Sequence, residues 1–339
     1  MNAIAGMANK AATSSFTQIP LIDLSPLRDG RDSTRAAVAD EICRACESVG
    51  FLYVVNHGIS SSLLTTLFEV AEQFFALSRA EKDELRLSTS TGYRGYIPAG
   101  IDGGTSAGNR KEAFQILSAI ELVGGPASII NRPNLWPSSL PRFRETLLNY
   151  FAAMQELSNS LLKLFAIGLG VPEEIFSSQF DSPLSMLRLL HYPPQPPTES
   201  AIGSQPHTDT GALTILAQDD AGGLEAVNDL GQWTQVKPIE GSLVVNIGGM
   251  MKLWSDGRFS ATPHRVINTS GKDRISVPFF ANPNFDTLIA PVIAAEKRRA
   301  EPRLVGHLER GEPVASGELM LRIWNRLWGP PGSKTQAME

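Results

Sequence analysis

Cysteine is almost absent from this chain: there are two in 339 residues. A small disulfide-stapled scaffold is thereby excluded. The pair, Cys43 and Cys46, has the C-x-x-C spacing that suits redox chemistry or half of a zinc site. No second pair exists, however, and the surrounding STRAAVADEICRACESVG reads as an amphipathic helix, so the expectation is two small apolar side chains packed in a core. An excess of one charge is also missing, since 30 Lys and Arg face 35 Asp and Glu for a net charge of −5. This gives no broad cationic field for nucleic acid or an anionic membrane, and neither is expected as a partner. No stretch approaches the ~20 apolar residues that cross a bilayer. Residues 1–18, rich in Ala, Ser and Thr, lack the apolar centre of a secretory signal and read as a disordered leader. The expectation is a soluble cytoplasmic protein.

What is present is a globule-forming composition, 42% apolar, with frequent turn formers (29 Gly, 23 Pro). The length admits one large core with appended helices or two modules. From Ile19 the pattern predicts a strand in IPLIDLS, a helix over 34–49, a strand in FLYVVNH and a helix over 60–77. Residues 85–142 show little periodicity. PRFRETLLNYFAAMQELSNSLLKLFAIGLG then repeats apolar positions at helical spacing, predicting one long helix that ends at Gly168 or Gly170. Beyond Pro183 short runs of Val, Ile, Leu and Phe alternate with turns: MLRLLHYP, ALTILAQ, GLEAVN, QWTQVKP, SLVVNIG, HRVIN and RISVPFFANP. Such spacing predicts a sandwich or jelly roll. ASGELMLRIWNRLW reads as a closing helix, stopped by GPPG. The expected organisation is leader 1–18, a mixed module 19–182, a jelly-roll core 183–290 and a C-terminal helical segment 291–339.

Histidine is scarce enough to inspect singly: His57, His191, His207, His264 and His307. In H-T-D, the i, i+2 spacing sends His207 and Asp209 to one face if 206–210 is extended. His264 opens another predicted strand, and a jelly roll can bring it to the same point. Two His and one carboxylate form the facial triad that holds non-haem Fe(II) with open positions. On the next strand, Arg274 and Ser276 share a face and can clamp a carboxylate. The apolar ISVPFF run after Arg274 implies burial, and a buried Arg needs an anionic partner. A diacid chelating the metal and anchored on Arg274 answers both demands.

The set PHTDTG (206–211), GGLE (222–225), VNIG (245–248), TPHRV (262–266) and RISVPFF (274–280) resembles the isopenicillin N synthase-like branch of the Fe(II)/2-oxoglutarate dioxygenases. IPLIDLS, GFLYVVNHGI and GYRGY are similar to that family's N-terminal part, so the resemblance spans residues 19 to about 330. It implies an α+β fold, a double-stranded β-helix core of two antiparallel sheets flanked by N-terminal helices and a C-terminal helix. It also implies His207, Asp209 and His264 as iron ligands, with Arg274, Ser276 and Tyr192 on 2-oxoglutarate. The resemblance further implies O2 as the oxidant, with succinate and CO2 released as a small molecule is hydroxylated or desaturated, as in secondary metabolism.

By strand alternation Arg188 shares the face of Tyr192, which makes it the leading substrate contact, and Phe280 lies on the parity of Arg274 and Ser276 as an apolar wall. His191 has the opposite parity and is expected to pack outside the site. His57 and His307 lack ligand spacing. One departure stands out: Gly249 replaces the Asp frequent in the family's N-I-G-D. A 2-oxoglutarate-independent iron oxidase of the same branch, a zinc hydrolase and a non-catalytic jelly-roll binding protein are the competing readings. Tyr192 with Arg274 and Ser276 favours the 2-oxoglutarate enzyme. LRLLHYP with an inward Arg188 looks somewhat like the thymine hydroxylases of the branch. A monomer or weak homo-oligomer is expected.

Overall fold

The computed structural model describes residues 16–101, 110–120, 126–195, 202–268, 270–293 and 313–329. Residues 1–15 of the expected leader, His307 and the chain beyond Gly329 lie outside the described residues. The first part supplies β1 (Leu21–Asp23), α1 (Asp32–Ser48), β2 (Phe51–Val55), α2 (Ser61–Phe75), α3 (Arg79–Glu84), β3 (Gly95–Ile97) and β4 (Glu112–Leu117). The long α4 (Pro141–Leu169) and short α5 (Glu174–Ser177) lead into β5 (Met186–Tyr192), β6 (Ile202–His207), β7 (Leu213–Gln218), β8 (Leu224–Val227), β9 (Trp233–Gln235) and β10 (Ser242–Ile247). Then follow α6 (Gly249–Trp254), β11 (His264–Ile267), β12 (Arg274–Ala281), β13 (Leu288–Ile289), β14 (Val314–Ala315) and α7 (Ser316–Trp328).

The helices form where apolar stripes and caps coincide. The Ser60 hydroxyl accepts the Leu63 N–H at 3.2 Å and opens α2. Pro141 sits in the first turn of α4, where its missing N–H costs nothing, and Gly170 closes that helix in the left-handed conformation. Gly168 is inside α4, not at its end, and serves packing there: a Cβ would collide with the Cys43 sulfur of α1. Cys43 and Cys46 are therefore packed between α1 and α4, both free thiols, and burial pushes Cys43 up to about 12. That agrees with a packing role for the C-x-x-C pair.

Two sheets carry the α+β fold. The larger runs β1-β2-β10-β7-β12-β5-β4-β3 and the smaller β6-β11-β8-β9, with all pairs antiparallel except β1 with β2. Phe51, Leu190, Tyr192, Leu216 and Val244 of the larger sheet pack in one apolar cluster with Leu224, Ala226 and Val266 of the smaller. The opposite face of the larger sheet meets α1, α2, α4 and α7 in the main core. Strand β12 serves both: Ile275, Val277, Phe279 and Ala281 point to the helices, and alternation turns Arg274 and Ser276 between the sheets.

The sequence pattern misses β3, β4, β6 and the two-residue β13 and β14. β3 and β4 lie in the stretch 85–142 that has no period, and four of the eight strands in the larger sheet precede residue 120. For β4 the reason is burial on both faces: five of the six positions of EAFQIL are buried, so no polar alternation marks β4.

Candidate active site

β6 ends at His207, and β11 begins at His264 directly opposite it in the antiparallel register. The strand does not continue to Asp209 as expected. The carboxylate instead enters from the following loop, which is held by the start of α6: the Gly249 N–H donates to the Asp209 carbonyl at 2.8 Å. The result still brings the three groups together. His207 Nε2 and His264 Nε2 lie 3.9 and 3.8 Å from Asp209 Oδ1. No other cluster of three such groups occurs among the described residues.

Each donor is fixed from behind. Nδ1 of His207 donates to the Gln205 carbonyl at 2.7 Å and Nδ1 of His264 to the Thr262 carbonyl at 3.2 Å. Those bonds set the tautomer and leave both Nε2 lone pairs facing Asp209. Asp209 Oδ2 accepts from Thr214 Oγ1 at 2.6 Å and Asn246 Nδ2 at 2.8 Å, so Oδ1 remains for the cluster. Phe51 packs edge-on against His264, with ring centroids 5.3 Å apart. The protein around His207, together with neighbouring His264, pushes the His207 pKa down to about 4. Burial alone would raise the Asp209 carboxyl, but His264, His207 and the two hydrogen bonds hold it below its ordinary value. His207 is therefore a neutral imidazole and Asp209 a carboxylate at neutral pH, and two His with one carboxylate form the donor set that suits Fe(II).

Arg274 and Ser276 lie at the start of β12, opposite Tyr192 and Leu190 of β5. Arg274 is 1% exposed; Nε donates to the Gly222 carbonyl at 2.6 Å and Nη1 to Ser276 Oγ at 2.9 Å. Its guanidinium lies 4.8 Å from the Tyr192 ring. That ring also meets β6 at Gly203, where a Cβ would sit 2.5 Å from Tyr192. Asp219 accepts the Ile275 N–H and feels the Arg274 charge through space. No direct ion pair to Arg274 occurs among the described residues. Burial nevertheless raises the Asp219 carboxyl. Arg274 and Ser276 form a cationic, donor-bearing corner that can take a carboxylate.

Arg188 stands further along the inner face. Phe280 has the inner parity and is opposite Thr214, the residue bonded to Asp209, yet it packs, partly buried, against the main core and not against the inter-sheet cluster. Arg188 is nearly buried; Nε donates to Gln115 Oε1 at 2.6 Å, and its guanidinium lies 4.9 Å from the Trp328 ring of α7. Gln115 in turn donates to the Tyr93 carbonyl at 2.7 Å, and the Tyr93 hydroxyl to Asn325 of α7 at 2.7 Å. Sequence reasoning missed Thr214, Asn246, Gln115, Tyr93 and Trp328. Asn246 stands in the VNIG motif and Trp328 in the predicted closing helix, but neither carries a spacing signal. His191 of β5 faces away from the site as expected, stacked on Phe75, though as a member of an ion-pair network and not as plain packing. His57 is half-buried after β2, away from the cluster.

Residues 183–283 match the 2OG-Fe(II) oxygenase superfamily, and residues 19–139 match the N-terminal domain described as non-haem dioxygenase in morphine synthesis. The chain is 35% identical over 327 residues to homoarginine-6-hydroxylase 2-ODD-233 of Oryza sativa subsp. japonica, covering 91% of this chain and 97% of that protein. It is 35% identical to a 2-oxoglutarate-dependent dioxygenase of Didymella fabae, covering 95% and 98%. Its fold is similar to a full-length Neurospora crassa protein crystallised in complex with alpha-KG, at TM-score 0.78 and 28% identity over 91% of this chain and 95% of that one. JOX2 in complex with 2OG, Fe and JA superposes at TM-score 0.75 and 30% identity, covering 95% and 89%. No described helix is long and apolar enough to cross a membrane. With a His-Asp-His cluster between two jelly-roll sheets and relatives matched over nearly its whole length, the chain belongs to the isopenicillin N synthase-like branch of the Fe(II)/2-oxoglutarate oxygenases and is a 2-oxoglutarate-dependent dioxygenase that hydroxylates a small molecule.

Proposed function

We propose that His207, Asp209 and His264 hold the iron, that Arg274, Ser276 and Tyr192 hold the distal carboxylate of 2-oxoglutarate, and that Arg188 and Phe280 orient the substrate. The observation that carries this reading is the division of labour at the triad: Nδ1 of each His and Oδ2 of Asp209 are spent on the protein, while Nε2, Nε2 and Oδ1 face one another. When bound, Fe(II) would supply open coordination positions and electrons to O2, the oxidant that takes the keto acid to succinate and CO2. The remaining work belongs to the chain. Arg274 and Ser276 anchor the far carboxylate and so fix how the keto acid meets the metal. Tyr192 walls the anchor, and α7, docked through Trp324, Trp328 and Asn325 against Tyr93, excludes water from the substrate side.

The substrate class is a small organic molecule bearing a carbonyl or carboxylate oxygen. Arg188 supports it: Gln115 orients its Nε and Trp328 covers its face, and a guanidinium so held suits oxygen acceptors. Similar proteins are named for homoarginine and crystallised with thymine, compounds that both carry such oxygens. In this reading residues 183–290 are the catalytic core, and 19–182 and the segment from 291 close around it. The enzyme acts as a monomer or weak homo-oligomer in the cytoplasm, in secondary metabolism, without nucleic acid. A triad complete within one chain and the near-balanced charge support that view.

The test is a screen of amino acids, pyrimidines and organic acids for substrate-stimulated succinate formation by the Fe(II)-loaded enzyme. An oxygen-bearing compound is expected to stimulate, and Arg188→Ala to raise its KM by more than about tenfold. Stimulation confined to compounds without such oxygens, or an Arg188→Ala enzyme with unchanged KM, contradicts the assignment.

A further inference from the structure

His191 adjoins Tyr192 on β5 but faces the outside of the sheet. Its register partners are Glu112 on β4 and Ile275 on β12. Nδ1 lies 2.9 Å from Glu112 Oε1 and Nε2 2.7 Å from Asp273 Oδ1. A neutral imidazole has one N–H and would set a lone pair against one of these carboxylates; only the imidazolium donates to both. The ring is 17% accessible and stacks on Phe75 of α2 at 5.1 Å. Glu112 is fixed on its other oxygen by Lys82 of α3 at 2.9 Å and the Tyr96 hydroxyl of β3 at 2.6 Å. These are the charged and titratable groups that face His191 among the described residues, with Phe75 the uncharged wall.

The position of this bridge in the fold gives it a consequence. Asp273 directly precedes Arg274, so the imidazolium ties the first turn of β12 to β5 and β4 at the point where Arg274 and Tyr192 stand opposite each other. We propose that His191 is a positioning residue for the cosubstrate: its protonated ring, bonded to both Glu112 and Asp273, holds the start of β12 in the register that presents Arg274 to the 2-oxoglutarate carboxylate. The inference rests on the assignment of Arg274 as the cosubstrate anchor. Burial alone would lower the His191 pKa, but the bonds to Glu112 and Asp273 outweigh it and raise the value above that of a free imidazole. The bridge is therefore intact below the raised pKa and is lost as pH rises through it. By linkage, 2-oxoglutarate affinity falls across the same interval, tenfold at most for each pH unit by which cosubstrate binding raises that pKa.

The test measures the dissociation constant of 2-oxoglutarate for the Fe(II)-loaded enzyme from pH 6 to 9, together with iron affinity, in wild type, Asp273→Asn, His191→Gln and Arg274→Ala. Wild type is expected to bind 2-oxoglutarate tightly at the acid end and about fivefold more weakly at the alkaline end, with iron affinity following a different curve. Asp273, 64% accessible, tolerates the change to Asn without loss of packing, and removal of its charge is expected to move the transition to lower pH. His191→Gln is expected to flatten the profile at the weak limit. A profile that is unchanged in Asp273→Asn and His191→Gln, even with a lowered melting temperature, overturns the inference and leaves His191 a purely structural group. If Arg274→Ala also leaves 2-oxoglutarate affinity intact, the anchor assignment itself is wrong.

Discussion

Replacing Arg274 by Ala removes the only charge assigned to the cosubstrate carboxylate. Its guanidinium is 1% exposed and already makes bonds of 2.6 and 2.9 Å to Gly222 and Ser276, so it is held in place before the ligand arrives. A hydrogen bond to a charged group contributes about 1.5–3 kcal/mol. Losing a two-point grip, with Ser276 and Tyr192 left to compensate in part, is expected to cost about 3 kcal/mol, or roughly a hundredfold in 2-oxoglutarate affinity. Iron affinity is expected to change by no more than about twofold, because the triad is held by Gln205, Thr262, Thr214 and Asn246 and shares no partner with Arg274. The Gly222 carbonyl loses its donor, so the variant is also expected to be less stable by about 1–3 kcal/mol and is assayed well below its melting temperature. Arg274→Lys restores the charge without the fork and should recover only part of the affinity. Anaerobic calorimetry of 2-oxoglutarate binding to Fe(II)-loaded protein decides the matter. Unchanged 2-oxoglutarate affinity, or an equal loss of iron, refutes the reasoning.

Other consequences are open to measurement. Thr214→Val with Asn246→Ala frees Asp209 Oδ2 and is expected to weaken iron binding about 10–100-fold, read by metal titration, with little effect on the fold. Gly168→Ala forces a methyl against the Cys43 sulfur and is expected to destabilise the α1–α4 packing by about 1–3 kcal/mol in denaturant melts, whereas Gly170→Ala should cost less. Burial alone would raise Glu112, but bonds from His191, Tyr96 and Lys82 draw it down to about 2. Its folded pKa is thus below its unfolded one, so its contribution of roughly 3 kcal/mol is complete above about pH 5 and is lost as pH falls toward 2. Glu112→Gln should flatten the acid limb of the stability curve, and an unchanged limb contradicts the network.

How far the sequence could be read depended on whether a residue's partners are near in sequence or set by the register. His207, Asp209 and His264 are legible because H-x-D and a strand-opening His carry a spacing, and the structure draws them together although Asp209 arrives from a loop. The long α4 and α7 are legible because their faces are apolar at helical period. β4 is not, since a strand buried on both faces loses its alternation. Gln115 and Trp328 meet Arg188 only after β4 pairs with β5 and α7 folds back, distances of 73 residues and more that no local pattern records. The contact of Asp219 with the Ile275 N–H, 56 residues away, leaves no local pattern either. Strand parity gave the side of the sheet on which His191 lies, but not that two carboxylates would converge on it.

The central claim is that one corner of this fold joins an Fe(II) site to a 2-oxoglutarate site. It is tested most directly by the visible charge-transfer absorption of the anaerobic protein on adding Fe(II) and then 2-oxoglutarate. The wild-type chain is expected to develop a weak band only when both are present, and His264→Ala to lose it. Well-folded, iron-loaded wild-type protein that shows no band on saturation with 2-oxoglutarate contradicts the account.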